Sequence, residues 1–226
     1  MRGENGNVVP IREVRINMQY PLINEVEAYW EGLRNGRSLP ARADVDPRGL
    51  ERALPYAFVA ERIAPGIARF RVAGQHLHDL MGMDVRGMPL SSLFVPAARE
   101  RLSELVEEVF ESPRVTRVSL NSGRGMGRPA LEAALLLLPL LNDKGEVSRA
   151  LGCLISEGHI GRLPRRFSIA ALQTRDLTTG DTVTEPMHHA SGANAPSGFA
   201  EAATTFAPAK RPDGERPALR LVQTDS

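Results

Sequence analysis

The segment from Phe70 to Pro113, FRVAGQHLHDLMGMDVRGMPLSSLFVPAARERLSELVEEVFESP, constrains the fold more than any other part of the chain. It opens as a short strand and breaks at Gly74. Two small apolar turns follow, Leu77-Leu80-Met81 and Leu90-Leu93-Phe94, separated by Gly82, Gly87 and Pro89. Glycine allows turns that a Cβ resists, so this spacing predicts several compact helical pieces in place of one long helix. From about Pro96 to Glu111 the pattern changes. Leu102, Leu105, Val106, Val109 and Phe110 fall on one helical stripe, with Arg99, Arg101, Glu104, Glu107 and Glu108 on the wet side. Pro113 disfavours helix at Ser112 and ends it.

Strand patterns flank this segment. Tyr56 to Ile63 and Ile67 to Val72 surround Ala64-Pro65-Gly66, a connection of hairpin length. In the second run Phe70 and Val72 are expected to face one way and Arg69 and Arg71 the other. Three more strands are expected at about Arg114 to Asn121, Pro129 to Leu141 and Ser148 to Gly158, with Asn142-Asp143-Lys144-Gly145 as the turn between the last two. In the middle one Leu131, Ala133, Leu135 and Leu137 share a face. Leu136, Leu138 and Leu140 share the other, so this strand is covered on both sides or carries an interface. Five antiparallel strands with helices gathered on one face make an α+β domain.

Before the first strand, Pro21 suits a helix start and Asn35-Gly36 a helix end. Leu22, Val26, Tyr29, Trp30 and Leu33 line one stripe of that amphipathic helix. They pack on the domain's own sheet or serve as a dimer interface. Arg37 to Leu54 alternates basic and acidic residues around Pro40 and Pro47, and its arginines are expected to pair with Asp44, Asp46 and Glu51. Residues 1–20 are polar and aperiodic, which predicts a flexible leader. The domain is expected over 21–172, where Arg166 to Leu172 is a last short segment. Residues 173–226 are rich in Thr, Ala, Pro, Ser and Gly, the composition of a disordered tail; Leu219, Leu221 and Val222 are its one small apolar patch.

Composition bounds the function. The chain has 226 residues and a formal net charge of +1, a balance that advertises neither nucleic acid nor an anionic membrane. Lysine occurs only at Lys144 and Lys210, so arginine, which favours planar pairing with carboxylates, carries the basic charge. The lone Cys153 excludes an internal disulfide and fits a reducing compartment. No signal-peptide core is present, and the apolar run Ala133 to Leu141 is too short to span a bilayer. A soluble cytoplasmic protein without membrane insertion is expected.

The order helix, strand, strand, short helices, long helix, three strands resembles a PAS domain. The resemblance narrows to a stand-alone PAS type known mainly from alphaproteobacteria and formerly catalogued as a domain of unknown function. It is carried by Tyr29-Trp30, Leu33-Arg34, Gly36-Arg37, Pro40, Arg42 and Asp44-Val45-Asp46-Pro47, then by Arg69 to Gly74, Leu80-Met81-Gly82, Arg86-Gly87 and Leu93-Phe94. These cover about Pro21 to Arg162. The resemblance implies a signalling or regulatory module, and it supplies neither a cofactor nor a site list, because that family has no settled ligand.

In relatives of this fold a ligand lies between the sheet and the short helices. The corresponding lining here is Phe58, Phe70, Val72, Leu77, Leu80, Met81, Met83, Leu93, Phe94, Val118, Leu135 and Leu154, unless these residues simply fill a core. The histidine that haem-binding relatives use lies on the long helix, and Pro96 to Glu111 contains none. The Asn-Cys-Arg context of flavin photochemistry is missing as well. His76 and His78 are assigned surface or capping roles, His159 a loop position, and His188-His189 lacks the partners of a zinc site. Gly123, Gly125 and Gly127 imitate a dinucleotide fingerprint, yet a strand follows them in place of a helix, so a hairpin loop is expected. Cys153 sits within an apolar run as inert packing. No nucleophile motif or acidic pair argues for catalysis. Two readings remain: a sensory module with or without a small apolar ligand, and a ligand-free adaptor that dimerises. In either, output passes through an unidentified partner protein or through self-association, and no nucleic acid is involved.

Overall fold

The computed structural model describes residues 20–186. Helix α1 spans Pro21–Arg34, and 3-10 turns follow at Arg42–Asp44 and Pro47–Leu50. Strands β1 (Ala57–Ala64) and β2 (Ile67–Ala73) lead to helix α2 (Gln75–Met81). Two more 3-10 turns, Leu90–Leu93 and Pro96–Ala98, precede helix α3 (Arg99–Glu111). Strands β3 (Arg114–Ser122), β4 (Leu131–Leu141), β5 (Val147–Glu157), β6 (Ser168–Asp176) and β7 (Thr182–Pro186) complete the described part. The sheet has the order β2-β1-β5-β4-β3-β6-β7, and every pairing is antiparallel.

Seven strands, not the expected five, therefore form the sheet among the described residues. With five, β3 would present a long edge of unpaired N–H and C=O groups. Strand β6 covers it, pairing Arg114 to Asn121 with Asp176 to Ser168. Ordered structure thus continues past residue 172, where a tail was expected to begin, as far as Pro186. The 1–20 leader, except Tyr20, and residues 187–226, with His188-His189 and the Leu219-Leu221-Val222 patch, lie outside the described residues.

Strand β4 shows why the sheet needs cover on both sides. Leu131, Ala133, Leu135 and Leu137 belong to the core that α2, the 3-10 turns and α3 close, together with Phe58, Phe70, Leu80 and Leu105. Ala134, Leu136, Leu138 and Leu140 belong to a second core that α1 closes, with Ile23, Val26 and Trp30. Helices therefore lie on both faces, a correction to the one-faced arrangement. Ile23, Val26 and Trp30 are almost wholly buried. Each such side chain contributes about 1.5–3 kcal/mol of gross apolar burial, which fastens α1 to its own sheet.

Polar ties hold the segment after α1. Asn35 adopts a left-handed conformation (φ 44°) that ends the helix. The Tyr29 hydroxyl donates to the Asp46 carbonyl (3.0 Å) and accepts from the Asp46 N–H (2.8 Å). Asp46 Oδ1 accepts from Arg48 N (2.9 Å), capping the Pro47–Leu50 turn as its Asp-Pro sequence suggests. Of the expected pairs, Arg37 joins Asp44 (2.7 Å), whereas Arg52 reaches Glu25 on α1 (2.9 Å). The β4–β5 turn is built by Asn142, whose side-chain oxygen accepts from the N–H groups of Lys144 and Glu146, both at 2.9 Å.

Candidate functional site

The space between the sheet and the small helices is the first candidate. Gly82 ends α2 in a left-handed conformation (φ 73°), and a Cβ there would stand 2.9 Å from Leu163 Cδ1. The chain can therefore turn back and lay Leu90, Leu93 and Phe94 against the sheet. Of the twelve predicted lining residues, Phe58, Phe70, Leu77, Leu80, Met81, Leu93, Phe94, Val118, Leu135 and Leu154 are buried in one cluster. Phe58 and Phe70 meet edge to face with ring centroids 5.2 Å apart. The Phe58 ring also lies over Gly152, where a Cβ would fall 2.1 Å from Cζ. These ten side chains form one buried cluster.

The remaining two, Val72 and Met83, point out and are corrected: they are 53% and 54% exposed. The register shift between Val59 and Ala60 is the reason for Val72. Val59 pairs with Val72 but Ala60 pairs with Phe70, so Arg71 is an extra residue and the alternation breaks after Phe70. Met83 follows the left-handed Gly82 and has left the buried stripe of α2.

The predicted interface stripe is used within the chain. Val26 and Trp30 are buried in the α1-side core, and Leu22, Tyr29 and Leu33 pack against it half-buried. Trp30 Nε1 donates to the Pro139 carbonyl at 3.0 Å.

A surface groove of about 430 Å3 runs between β2 and α3, floored by Ala68, Leu90, Leu102 and Val106 and rimmed by Ile63, Ile67 and Arg99. A second cleft, of about 350 Å3, lies between α1 and strands β3 and β6. Glu27 there accepts from Arg117 (2.7 Å) and Arg175 (3.1 Å), so its guanidinium groups are already balanced by a carboxylate. Neither was expected from the sequence. The groove joins residues of four elements, and Glu27 and Arg175 lie 148 positions apart.

The titratable groups sit separately. His76 is half-buried, not a surface residue, with its ring 4.9 Å from that of Tyr56 and Nε2 3.0 Å from Ser156 Oγ. Burial pushes its pKa below the ordinary 6.5, against the pull of Asp79. His78 Nδ1 accepts from Val85 N (3.3 Å), a local cap for the loop after α2. Cys153 is buried on the α1 side, and burial pushes its thiol up to about 12. Glu61 stays below its usual range: burial raises it, but Arg69, Arg149 and Arg71 outweigh that. Among the described residues no three His, Cys, Asp or Glu side chains are grouped to hold a metal, and no helix is long and apolar enough to cross a membrane.

Arg165 gave no signal in the sequence. Its side chain is buried without a carboxylate partner among the described residues, donating instead to the carbonyls of Ile160 (2.7 Å) and Pro129 (2.8 Å). Its Nε has no hydrogen-bond partner among the described residues. Burial and the nearby Arg128 lower its pKa.

An antiparallel sheet closed on one face by short helices and a longer one defines a PAS-type module. The sequence profile described as a PAS domain matches residues 18–155, more than half of the chain, and the chain belongs to that family. The match begins before α1 and ends within β5, so β6 and β7 lie beyond it. No curated protein matches. Among solved structures, a light-oxygen-voltage domain studied with a flavin analogue is 21% identical, with a TM-score of 0.37 over 50% of this chain and 84% of that one. The light-state structure of the blue-light photoreceptor Aureochrome1 LOV is 14% identical, with a TM-score of 0.35 over 50% of this chain and 88% of that one. Overlaps of this quality add nothing to the family assignment.

Proposed function

We propose that this chain is a non-catalytic sensory or regulatory module of the cytoplasm that acts by contact with another protein. Membership of the PAS family supports the general role. The observation that carries the rest is the interior: ten of the twelve expected lining residues pack on one another, with Phe58 seated on Gly152. A module with a filled interior signals through its surfaces. Optical spectroscopy and mass spectrometry of protein purified from its native host test this reading. Clean apoprotein supports it, and a stoichiometric chromophore or metabolite refutes it.

The groove between β2 and α3 favours a second reading, in which a small apolar ligand binds outside the core against Leu90, Leu102 and Val106. An adaptor that dimerises through the α1 stripe finds less support, because Val26 and Trp30 are occupied by the chain's own sheet. Sedimentation equilibrium separates monomer from dimer.

A further inference from the structure

A net charge of +1 conceals one strongly basic corner. The loop between β3 and β4, residues 123–130, and the loop between β5 and β6, residues 158–167, carry Arg124, Arg128, Arg162, Arg165 and Arg166 and no Asp or Glu. The nearest acids in sequence, Glu132 and Glu157, face each other at the strand ends. Among the described residues none of the five arginines forms an ion pair. The two loops are tied together: Arg162 N donates to Gly127 O (2.7 Å), Arg128 Nε to Arg162 O (3.2 Å) and Arg165 to Pro129 O (2.8 Å). Arg165 is wholly buried with an orphaned Nε, so a positive charge lies beneath the exposed ones without a counter-ion among the described residues. Leaving it so is unfavourable, and a nearby anion relieves it.

The tip above this charge is apolar. Gly125 and Arg128 exchange N–H···O bonds of 2.8 and 3.0 Å, a tight turn that holds Met126 at its corner, 90% exposed. Met126 is the most exposed large hydrophobic side chain of the described residues, and Arg124 and Arg128 flank it. We propose that these two loops dock the protein on an anionic lipid surface, Met126 entering the headgroup boundary while Arg124, Arg128 and Arg162 meet the phosphates. An exposed apolar tip flanked by arginines matches a flat, charged, partly apolar surface. This is peripheral binding, and it needs no spanning segment.

Co-sedimentation of the full chain with vesicles of phosphatidylcholine alone, or mixed equally with phosphatidylglycerol, tests the proposal. The protein is expected to sediment with the mixed vesicles and not with the neutral ones. Binding should fall roughly tenfold or more between low and high salt, because exposed charges are screened. Joint replacement Arg124→Glu, Arg128→Glu, Arg162→Glu should abolish sedimentation. Met126→Ser, at a position outside the core, should weaken it several-fold with an unchanged melting temperature. Failure of the wild type to distinguish the two vesicle types overturns the proposal whatever the variants do. Undiminished binding by Met126→Ser overturns it as well. Tighter binding to polyglutamate than to the mixed vesicles overturns it in favour of an acidic protein partner.

Discussion

Trp30 Nε1 donates a hydrogen bond to the carbonyl of Pro139 at 3.0 Å, joining α1 to the strand on which its indole lies. The β3–β4 ladder ends at Thr116 and Leu137, so Pro139 lies past its last β3 partner and its carbonyl is open to the indole. Proline within an inner strand otherwise loses a ladder bond. Here the position without an N–H and the donor that meets its carbonyl are matched across 109 residues of sequence.

Truncating Trp30 to Ala should destabilise the fold by about 3–5 kcal/mol, the range for removing a buried aromatic ring. Trp30→Phe should cost about 1–3 kcal/mol, since it keeps a ring but leaves a buried acceptor unpaired. Urea denaturation of the three proteins gives both numbers. A Trp30→Phe variant as stable as the wild type would deny the hydrogen bond its role.

Gly152 is required by the ring above it. A Cβ at this position would lie 2.1 Å from Phe58 Cζ. Gly152→Ala should therefore destabilise by about 1–3 kcal/mol through overpacking. Adding it to a Phe58→Ala background should cost almost nothing, because the ring is gone. A double-mutant cycle measures the difference. Additive effects would mean that Phe58 does not lie on Gly152.

The pH dependence of His76 follows from its burial. Its folded pKa is below the ordinary 6.5, so the unfolded chain binds the proton more readily. Its contribution to stability is full above that value and is lost as pH falls below 6.5 toward the folded pKa. Melting temperature should decline over that interval, and His76→Asn, which cannot take up the proton, should flatten the decline. An identical profile in the variant would assign the titration elsewhere.

Chain ends test the last strands. Ending the chain after Gln173 removes β7 and the last third of β6, with the buried Thr174 and the Glu185 that pairs with Arg101 at 2.8 Å. The melting temperature should then be several degrees lower than for a chain ending at Pro186, since each kcal/mol corresponds to about 2–4 °C at this size. Equal values would make β6 and β7 ornamental.

Much of this architecture was legible beforehand, and the reasons are local. Gly82 and the α3 stripe from Leu102 to Phe110 carry their conformations in short-range patterning, as does the Asn142 turn. The two apolar sets on β4 left cover on both faces or an interface as alternatives, and α1 supplies the cover. What hides from the sequence depends on distant partners. Val72 turns outward because a bulge at Arg71 shifts the register against β1, and no alternation of residue types records that. Strand β7, Thr182–Pro186, is largely exposed and reads as tail composition until β6 is in place beside it. In the candidate site, the ten buried lining residues were identifiable as apolar stripes, yet the close approach of Phe58 to Gly152 across two strands was not. The buried charge of Arg165 depends on carbonyls of two loops and has no sequence signature at all.

Whether the interior is filled by the chain itself is tested most directly by NMR under xenon pressure, since xenon enters dry apolar cavities. No saturable shifts are expected at Phe58, Leu80 or Leu154 in the wild type, and such shifts are expected once Phe70→Ala opens a void. Saturable xenon binding at those residues in the wild type would contradict a packed interior and return the space between sheet and helices to the role of a ligand pocket.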